Sequence, residues 1–420
     1  MPETALMQRL EQVLAAIPLI DPHSHIDPHA PVAKSLDDLL GYHYYTELAH
    51  SAGMSHQPLS KDTPPQERVK AILQYAQRFE NTVQWSWFVE LCQTFFGWKH
   101  DRITPKDADK LWEQADKQLN QPDWVEKVIG ITNLQKVYLT NAFDDDLSKF
   151  DTARYVPCLR TDDLVFHWHQ PAVQERLQKK TAMKVGDATS LKRAFEVLFR
   201  DFISHGARAC AISLPPDFTP HEVSEAELSR SMKEGNREVT AAGIFWLLTH
   251  HCRTFGLPFD LMIGVNRQVY RNGVYQGQDL FDQRTSLIQY APLFNSFPEV
   301  KFCISVLTSR QNQELASYSW IFPNVYTSGH WWYTNIPTLI EADLTLRLEA
   351  VPANKQIGYY SDAYKLEFIL PKFNIYRKCL AKVLSQRFVI DQKWSEERAV
   401  ALGEQLLRQT TLDVFEKDTK

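Results

Sequence analysis

Two histidines one residue apart, His23 and His25, close a short apolar run, Pro18-Leu19-Ile20-Asp21-Pro22-His23-Ser24-His25. On an extended strand residues i and i+2 share a face, so both imidazoles point at one place, which is half of a metal site. Asp362, which ends the run Ile357-Gly358-Tyr359-Tyr360-Ser361-Asp362, offers a third donor. Two imidazoles and a carboxylate suit one divalent ion, zinc first among them, with positions left for water or substrate. The plainer alternative is that the histidines cap a strand and Asp362 caps the next helix. Arg160, Arg267 and Arg310 follow other strand-like runs. Any of them could grip an anion through a bidentate guanidinium, or be a surface ion pair. Ser328-Gly329-His330-Trp331-Trp332-Tyr333 reads as a pocket wall in which His330 serves as acid, base or hydrogen-bond donor, or as a packed aromatic loop. His167-Trp168-His169 precedes Gln170-Pro171 and has no place among the strands, so it reads as structural. His250 and His251 fall late in a helical pattern, where adjacent residues do not share a face. No nucleophile motif of the Gly-x-Ser-x-Gly kind occurs.

The elements that must position these groups alternate. Apolar or β-branched runs occur at Leu19–Pro22, Lys136–Thr140, Arg154–Leu159, Ala207–Ser213, Pro258–Gly264, Val300–Leu307, Asn324–Ser328 and Gln356–Ser361. Helical patterns lie between several of them, at Ser190–His205, Glu222–Phe255, Asp282–Ser296 and Thr338–Ala350. Eight such units predict a (β/α)8 TIM barrel, with an open doubly wound sheet as runner-up; no glycine-rich nucleotide motif supports the latter. First and eighth strands are neighbours once a barrel closes, which brings His23, His25 and Asp362 together at the C-terminal rim. Residues about 35–130 carry helical patterns (Gln66–Phe79, Val83–Phe95, Pro105–Leu119) with Trp85, Trp87, Phe88 and Trp98 among them, and predict a helical insertion after strand one. Ile369–Lys420 reads as a helical tail, and 1–420 as one domain.

Composition excludes other classes. A net charge of −5 offers no basic surface for nucleic acid. No apolar run is long enough to span a bilayer, and Met1–Pro18 reads as an amphipathic helix rather than a secretion signal. The 6 cysteines lack paired spacing, which suits reduced thiols in the cytoplasm. With 11 Trp and 23 Phe the chain can wall an enclosed pocket or fill a large core. A small molecule is the expected partner, and a homo-oligomer stays open.

In this order the residues resemble the uronate isomerase family of the amidohydrolase superfamily. Ile20-Asp21-Pro22-His23-Ser24-His25-Ile26 is similar to that family's first-strand F-D-x-H-C-H-L, and Leu39–Tyr45 to its G-D-H-Y segment, which places Tyr44 on the active-site tyrosine. The segments LCQTFFGW, TNLQKVYLTNAFDD, PCLRTDD, FISHGARA and VYTSGHWWY have counterparts in the same order, and YYSDAYKLEF is similar to the eighth-strand T-D-S-R-S-F. The resemblance implies aldose–ketose isomerisation of a hexuronate such as glucuronate or galacturonate through an enediol. One divalent metal would sit on His23, His25 and Asp362, with Asp362 or Tyr44 moving protons. Arg160 and Arg310 match the positions expected to hold the sugar carboxylate, with Trp331, Trp332 and Tyr364 around the sugar. Tyr364 stands where the family carries arginine, and Met262 where its fifth strand carries histidine, so a phenol and a thioether replace a cation and an imidazole. Those departures leave open a mononuclear hydrolase or decarboxylase acting on another acid, and a non-catalytic sugar-acid-binding descendant. Strands four and six carry none of the extra ligands of a binuclear hydrolase.

Overall fold

The computed structural model describes residues 2–416. Eight parallel strands run in chain order around a barrel: β1 (Leu19–Asp21), β2 (Leu134–Tyr138), β3 (Tyr155–Val156 and Cys158–Arg160), β4 (Ala209–Leu214), β5 (Phe259–Ile263), β6 (Phe302–Val306), β7 (Val325–Ser328) and β8 (Gln356–Ile357). This is the (β/α)8 architecture that the alternation predicts. The run expected at Arg154–Leu159 is split at Pro157, which has no N–H for the ladder. Its first half pairs with β2 and its second with β4 and with Asn141–Ala142.

β8 contributes only Gln356–Ile357 to the ladder with β7. The extended residues after it join β1 through hydrogen bonds around the future site. Ser361 N–H donates to Asp21 Oδ1 at 2.8 Å and its hydroxyl to the same carboxylate. Asp362 N–H donates to His23 O at 3.2 Å, and His25 N–H to Ala363 O at 2.8 Å. The barrel is therefore closed by the segments that carry the candidate ligands.

Strand alternation sorts the side chains. On β6, Phe302, Ile304 and Val306 face the outer helices, while Cys303 and Ser305, like Leu307 just past the strand, face the axis. Parallel register sets Asp260 beside Cys303 and Ala211, and Met262 beside Ser305 and Ser213. Val414 and Phe415 pack with Ile20, Val156, Ala209 and Cys303, so the end of the helical tail stops the floor of the barrel. Residues 417–420 of the expected tail lie outside the described residues.

The helical pattern over Glu222–Phe255 is two helices, Glu225–Glu234 and Arg237–Phe255. Gly235 (φ 73°) supplies the left-handed turn that ends the first, and the Asn236 side chain accepts from Val239 N–H to begin the second. The pattern at Asp282–Ser296 shrinks to a 3-10 turn, Leu287–Tyr290, and a short helix, Ala291–Ser296. The insertion is helical as expected, running from Leu36–Leu40 to Trp124–Thr132 with Trp85, Trp87, Phe88 and Trp98 buried in it.

Glu367, just after β8, fastens that insertion. Its carboxylate is wholly buried and accepts from Trp124 Nε1–H at 2.9 Å and from Ala33 N–H at 3.1 Å. Burial pushes the carboxyl up to about 7, against the hydrogen bonds from Trp124 and Ala33. The folded chain therefore keeps a proton that the unfolded chain releases near its ordinary pKa of 4.5, so Glu367 makes stability fall as pH rises from about 4.5 to 7. Glu367→Gln keeps the acceptor without the titration. Its melting temperature relative to the parent should rise across that window; parallel pH profiles for the two chains would exclude the effect.

Candidate metal centre

His23 and His25 lie just past β1, with ring planes at 88° and centroids 5.4 Å apart. Each ring is oriented by its Nδ1. His23 Nδ1–H donates to Asp260 Oδ2 at 2.8 Å. The Thr140 hydroxyl donates to Ser24 O at 3.0 Å, so at 2.6 Å from His25 Nδ1 its oxygen is left to accept the ring N–H. Both Nε2 lone pairs are thereby turned toward Asp362, the usual outer-shell arrangement of metal-binding histidines. Asp362 Oδ1 stands 3.2 Å from His25 Nε2 and 3.7 Å from His23 Nε2. One donor atom from each residue falls within 4.8 Å of the others. His23 Nε2 and Asp362 Oδ1 are buried without a hydrogen-bond partner in the protein. Electron-rich atoms facing one another in a buried space are costly unless a cation or proton lies between them. The donor set therefore fits a divalent ion.

Charge supports the same arrangement. Burial drives the Asp362 carboxyl upward, but contact with His25 and the charges of His25, His23 and Lys372 outweigh it and hold the group at about 2. Burial lowers His25; burial also acts to lower His23, but the Asp260 hydrogen bond and charge raise it. Asp362 adopts φ 53°, a left-handed conformation uncommon for a residue with a side chain.

Above the cluster, Tyr364 stacks on His25 with centroids 5.0 Å apart. A cavity of about 550 Å³ on one side is lined by Tyr42, His43, Gln276 and Tyr364. Another of about 720 Å³ is lined by Arg160, Asp162, Arg267, Tyr275 and Gln276. Tyr275 and Gln276, from the loop after β5, border both. An apolar wall of Met262, Val265, Leu307, Trp331 and Tyr360 adjoins the histidines, its Tyr360 ring 5.1 Å from His23.

The sequence profile of the family described as glucuronate isomerase matches residues 3–409. The chain belongs to the glucuronate isomerase family. As a family member it is an isomerase, and the resemblance drawn from the motifs is borne out. A uronate isomerase of Corynebacterium efficiens is 23% identical, over 98% of this chain and 95% of the relative. The glucuronate isomerase structure from Caulobacter crescentus superposes with a TM-score of 0.91 at 19% identity, covering 100% of this chain and 95% of the other. That of the Thermotoga maritima uronate isomerase gives 0.90 at 18%, covering 98% and 97%. At these identities the likeness to the solved structures is one of fold.

In this glucuronate isomerase family member the residues singled out by sequence do not all meet. His23, His25 and Asp362 converge, Tyr364 covers them, and Tyr44 is buried close enough to feel the Asp362 charge. Arg160 lines the larger cavity while bidentate to Asp162 at 3.0 and 3.2 Å, and Arg267 lines it while paired with Asp279. Trp331 belongs to the apolar wall, and Trp332 stacks on Tyr333 and stands edge-on to His43. Arg310 is exposed and bonded to Gln283, away from the ligands. His330 is buried against Tyr376 with neither ring nitrogen bonded, and burial, with the Arg347 charge, holds it well below the usual imidazole range. Of the other histidines, His251 bonds the backbone carbonyls of Leu247 and Lys192, whereas His167 is 6.3 Å from His169, ring to ring.

Two residues of this family member escaped the sequence reading. Asp260 is the only carboxylate inside the apolar run Pro258–Gly264, and a charge at an axis-facing strand position needs a partner. Lys372 lies on the buried stripe of helix Ile369–Val383 shared by Ile369 and Tyr376. Burial lowers its ammonium to about 8, against the charges of Asp362 and Asp21.

Proposed function

We propose that the chain is a divalent-metal-dependent aldose–ketose isomerase of a hexuronate. The convergence of His23, His25 and Asp362, with buried donor atoms left unbonded, carries this reading. Family membership supports the substrate class. A divalent ion on those three residues supplies Lewis acidity toward a substrate oxygen. The protein's own groups divide the rest. Asp362 is ionised at neutral pH and can take a proton, whereas Tyr44, pushed well above 10 by burial and the Asp362 charge, keeps its own and can give it. In the enediol route the C2 proton leaves, the hydroxyl and carbonyl oxygens exchange a proton, and a proton returns to C1. Arg160, beside the rim, holds the substrate carboxylate through the guanidinium edge not taken by Asp162, and Tyr364 and Trp331 exclude water. His330, held neutral by burial and packed against Tyr376, backs the aromatic loop, and Trp332 completes the wall.

Incubating the protein with glucuronate or galacturonate after loading with Zn²⁺, Mn²⁺ or Co²⁺ should yield the corresponding ketose by NMR. Chelation should stop turnover and zinc should restore it. A substrate deuterated at C2 should react more slowly and lose label to solvent. No ketose under any of these ions would sink the isomerase reading, and complete retention of the label at C1 would sink the enediol step. The apolar wall that includes Met262 favours, as a second reading, a mononuclear hydrolase or decarboxylase of a less polar acid. Metal-dependent loss of such acids with no sugar turnover would select it.

A further inference from the structure

Lys372 is fully buried, and its ammonium joins three parts of the chain. It donates to Ser361 O at 2.7 Å, on the segment that ends in Asp362. It donates to Tyr42 Oη at 3.0 Å, and the Tyr42 hydroxyl in turn donates to Asp362 O at 2.8 Å. Its remaining surroundings are aromatic: Nζ lies 4.8 Å from the Trp87 ring centroid, 5.1 Å from Tyr42 and 5.2 Å from Tyr44. Tyr42 and Tyr44 enter helix His43–Ser51, and Trp87 belongs to helix Val83–Phe96, both parts of the insertion. A lone buried ammonium is expensive, and here two carbonyl or hydroxyl acceptors, three π faces and the nearby carboxylates of Asp21 and Asp362 offset that cost.

The bonds of this cation fall on either side of a strained residue. Asp362 sits at φ 53°, where its side chain can turn back toward the histidines. Its own N–H is held by His23 O, the carbonyl before it by Lys372, and its own carbonyl by Tyr42. Removing the ammonium frees the Ser361 carbonyl and leaves the Tyr42 hydroxyl, which holds the Asp362 carbonyl, without its own donor, so the link between the insertion and the strand end is loosened on both sides of Asp362.

We propose that Lys372 is a positioning residue for the metal centre: caged by Tyr42, Tyr44 and Trp87, it holds the left-handed turn that aims the Asp362 carboxylate at His23 and His25. This rests on the metal-site reading above. It makes docking of the insertion a condition of metal affinity, although no insertion residue belongs to the donor set.

The test uses the full chain and Co²⁺ as probe, with affinity measured by chelator competition, ligand field by visible absorption, and folding by circular dichroism and melting of the metal-free protein. Lys372→Met preserves length and removes the charge, Tyr42→Phe removes only the hydroxyl link, and Phe373→Leu perturbs packing one residue along the same helix. Lys372→Met should weaken Co²⁺ binding about 10–100-fold and shift the ligand-field bands, as outer-shell losses do. Tyr42→Phe should move both in the same direction by less, and Phe373→Leu should lower melting with neither moved. Wild-type affinity and bands in Lys372→Met would overturn the proposal, as would an equal spectral shift in Phe373→Leu. If Lys372→Met does not fold, an unchanged Tyr42→Phe overturns it and a shifted one supports it. Failure of the wild-type chain itself to take up Co²⁺ would instead overturn the metal-site reading and the proposal together.

Discussion

Asp362→Asn should leave a folded protein that retains less than about one thousandth of the parental turnover, a loss of about 4 kcal/mol of transition-state stabilisation. The substitution keeps the shape of the side chain and removes its charge. The two Nε2 atoms would then face a neutral amide, and the group proposed to take the proton would be gone. Metal content measured on the purified variant should drop with activity, and excess zinc should not restore the rate, because the missing group is also a reacting one. Parental turnover in this variant would remove Asp362 from both roles. A second readout separates the carboxylate from any ion. Its pKa of about 2 in the folded chain lies below the ordinary 3.8, so Asp362 contributes stability present above about pH 4 and lost as pH falls toward 2. Metal-free parent should therefore lose more melting temperature across that window than metal-free Asp362→Asn.

Asp260→Ala should lower metal affinity about 10–100-fold while leaving a rate that excess metal recovers. Asp260 supplies no donor atom to the cluster; it fixes the proton of His23 on Nδ1 and so leaves Nε2 free. Without it the imidazole can carry its proton on either nitrogen and rotate, and only a fraction of the molecules present the ligand. Rescue by zinc in Asp260→Ala, set against no rescue in Asp362→Asn, distinguishes an orienting carboxylate from a reacting one. Asp260→Asn sharpens the comparison, since an amide turned to donate toward Nδ1 forces the proton onto Nε2. It should bind metal no better than the alanine variant. Undiminished zinc affinity in Asp260→Ala would show that the ring is held by packing against Tyr360 and His25 alone.

Much of the candidate metal centre was legible because the signals were local. The one-residue spacing of His23 and His25 needs only the two-residue strand repeat, and Asp362 needs only the rule that barrel chemistry gathers at strand ends. The aromatic run after β7 was equally plain, but its residues part company in the fold: Trp331 turns to the apolar wall and His330 to the outer layer against Tyr376. Residues alike in sequence, such as Arg160 and Arg310, separate in the same way. Arg160 is the last residue of β3, whereas Arg310 begins a helix and reaches only the exposed Gln283 loop.

What the chain determines by itself are the donor types, the strand and helix periods that order eight units, and family membership, because each is written in short-range pattern. Only the tertiary structure decided that the carboxylate behind His23 is Asp260, 237 residues away, and that the cation under Asp362 is Lys372 inside a cage built by the insertion. It also decided that Tyr364, two residues after Asp362, lies across His25. Those pairings depend on the register between strands and on barrel closure, which arise from the packing of the whole chain and leave no trace in the spacing of neighbouring residues.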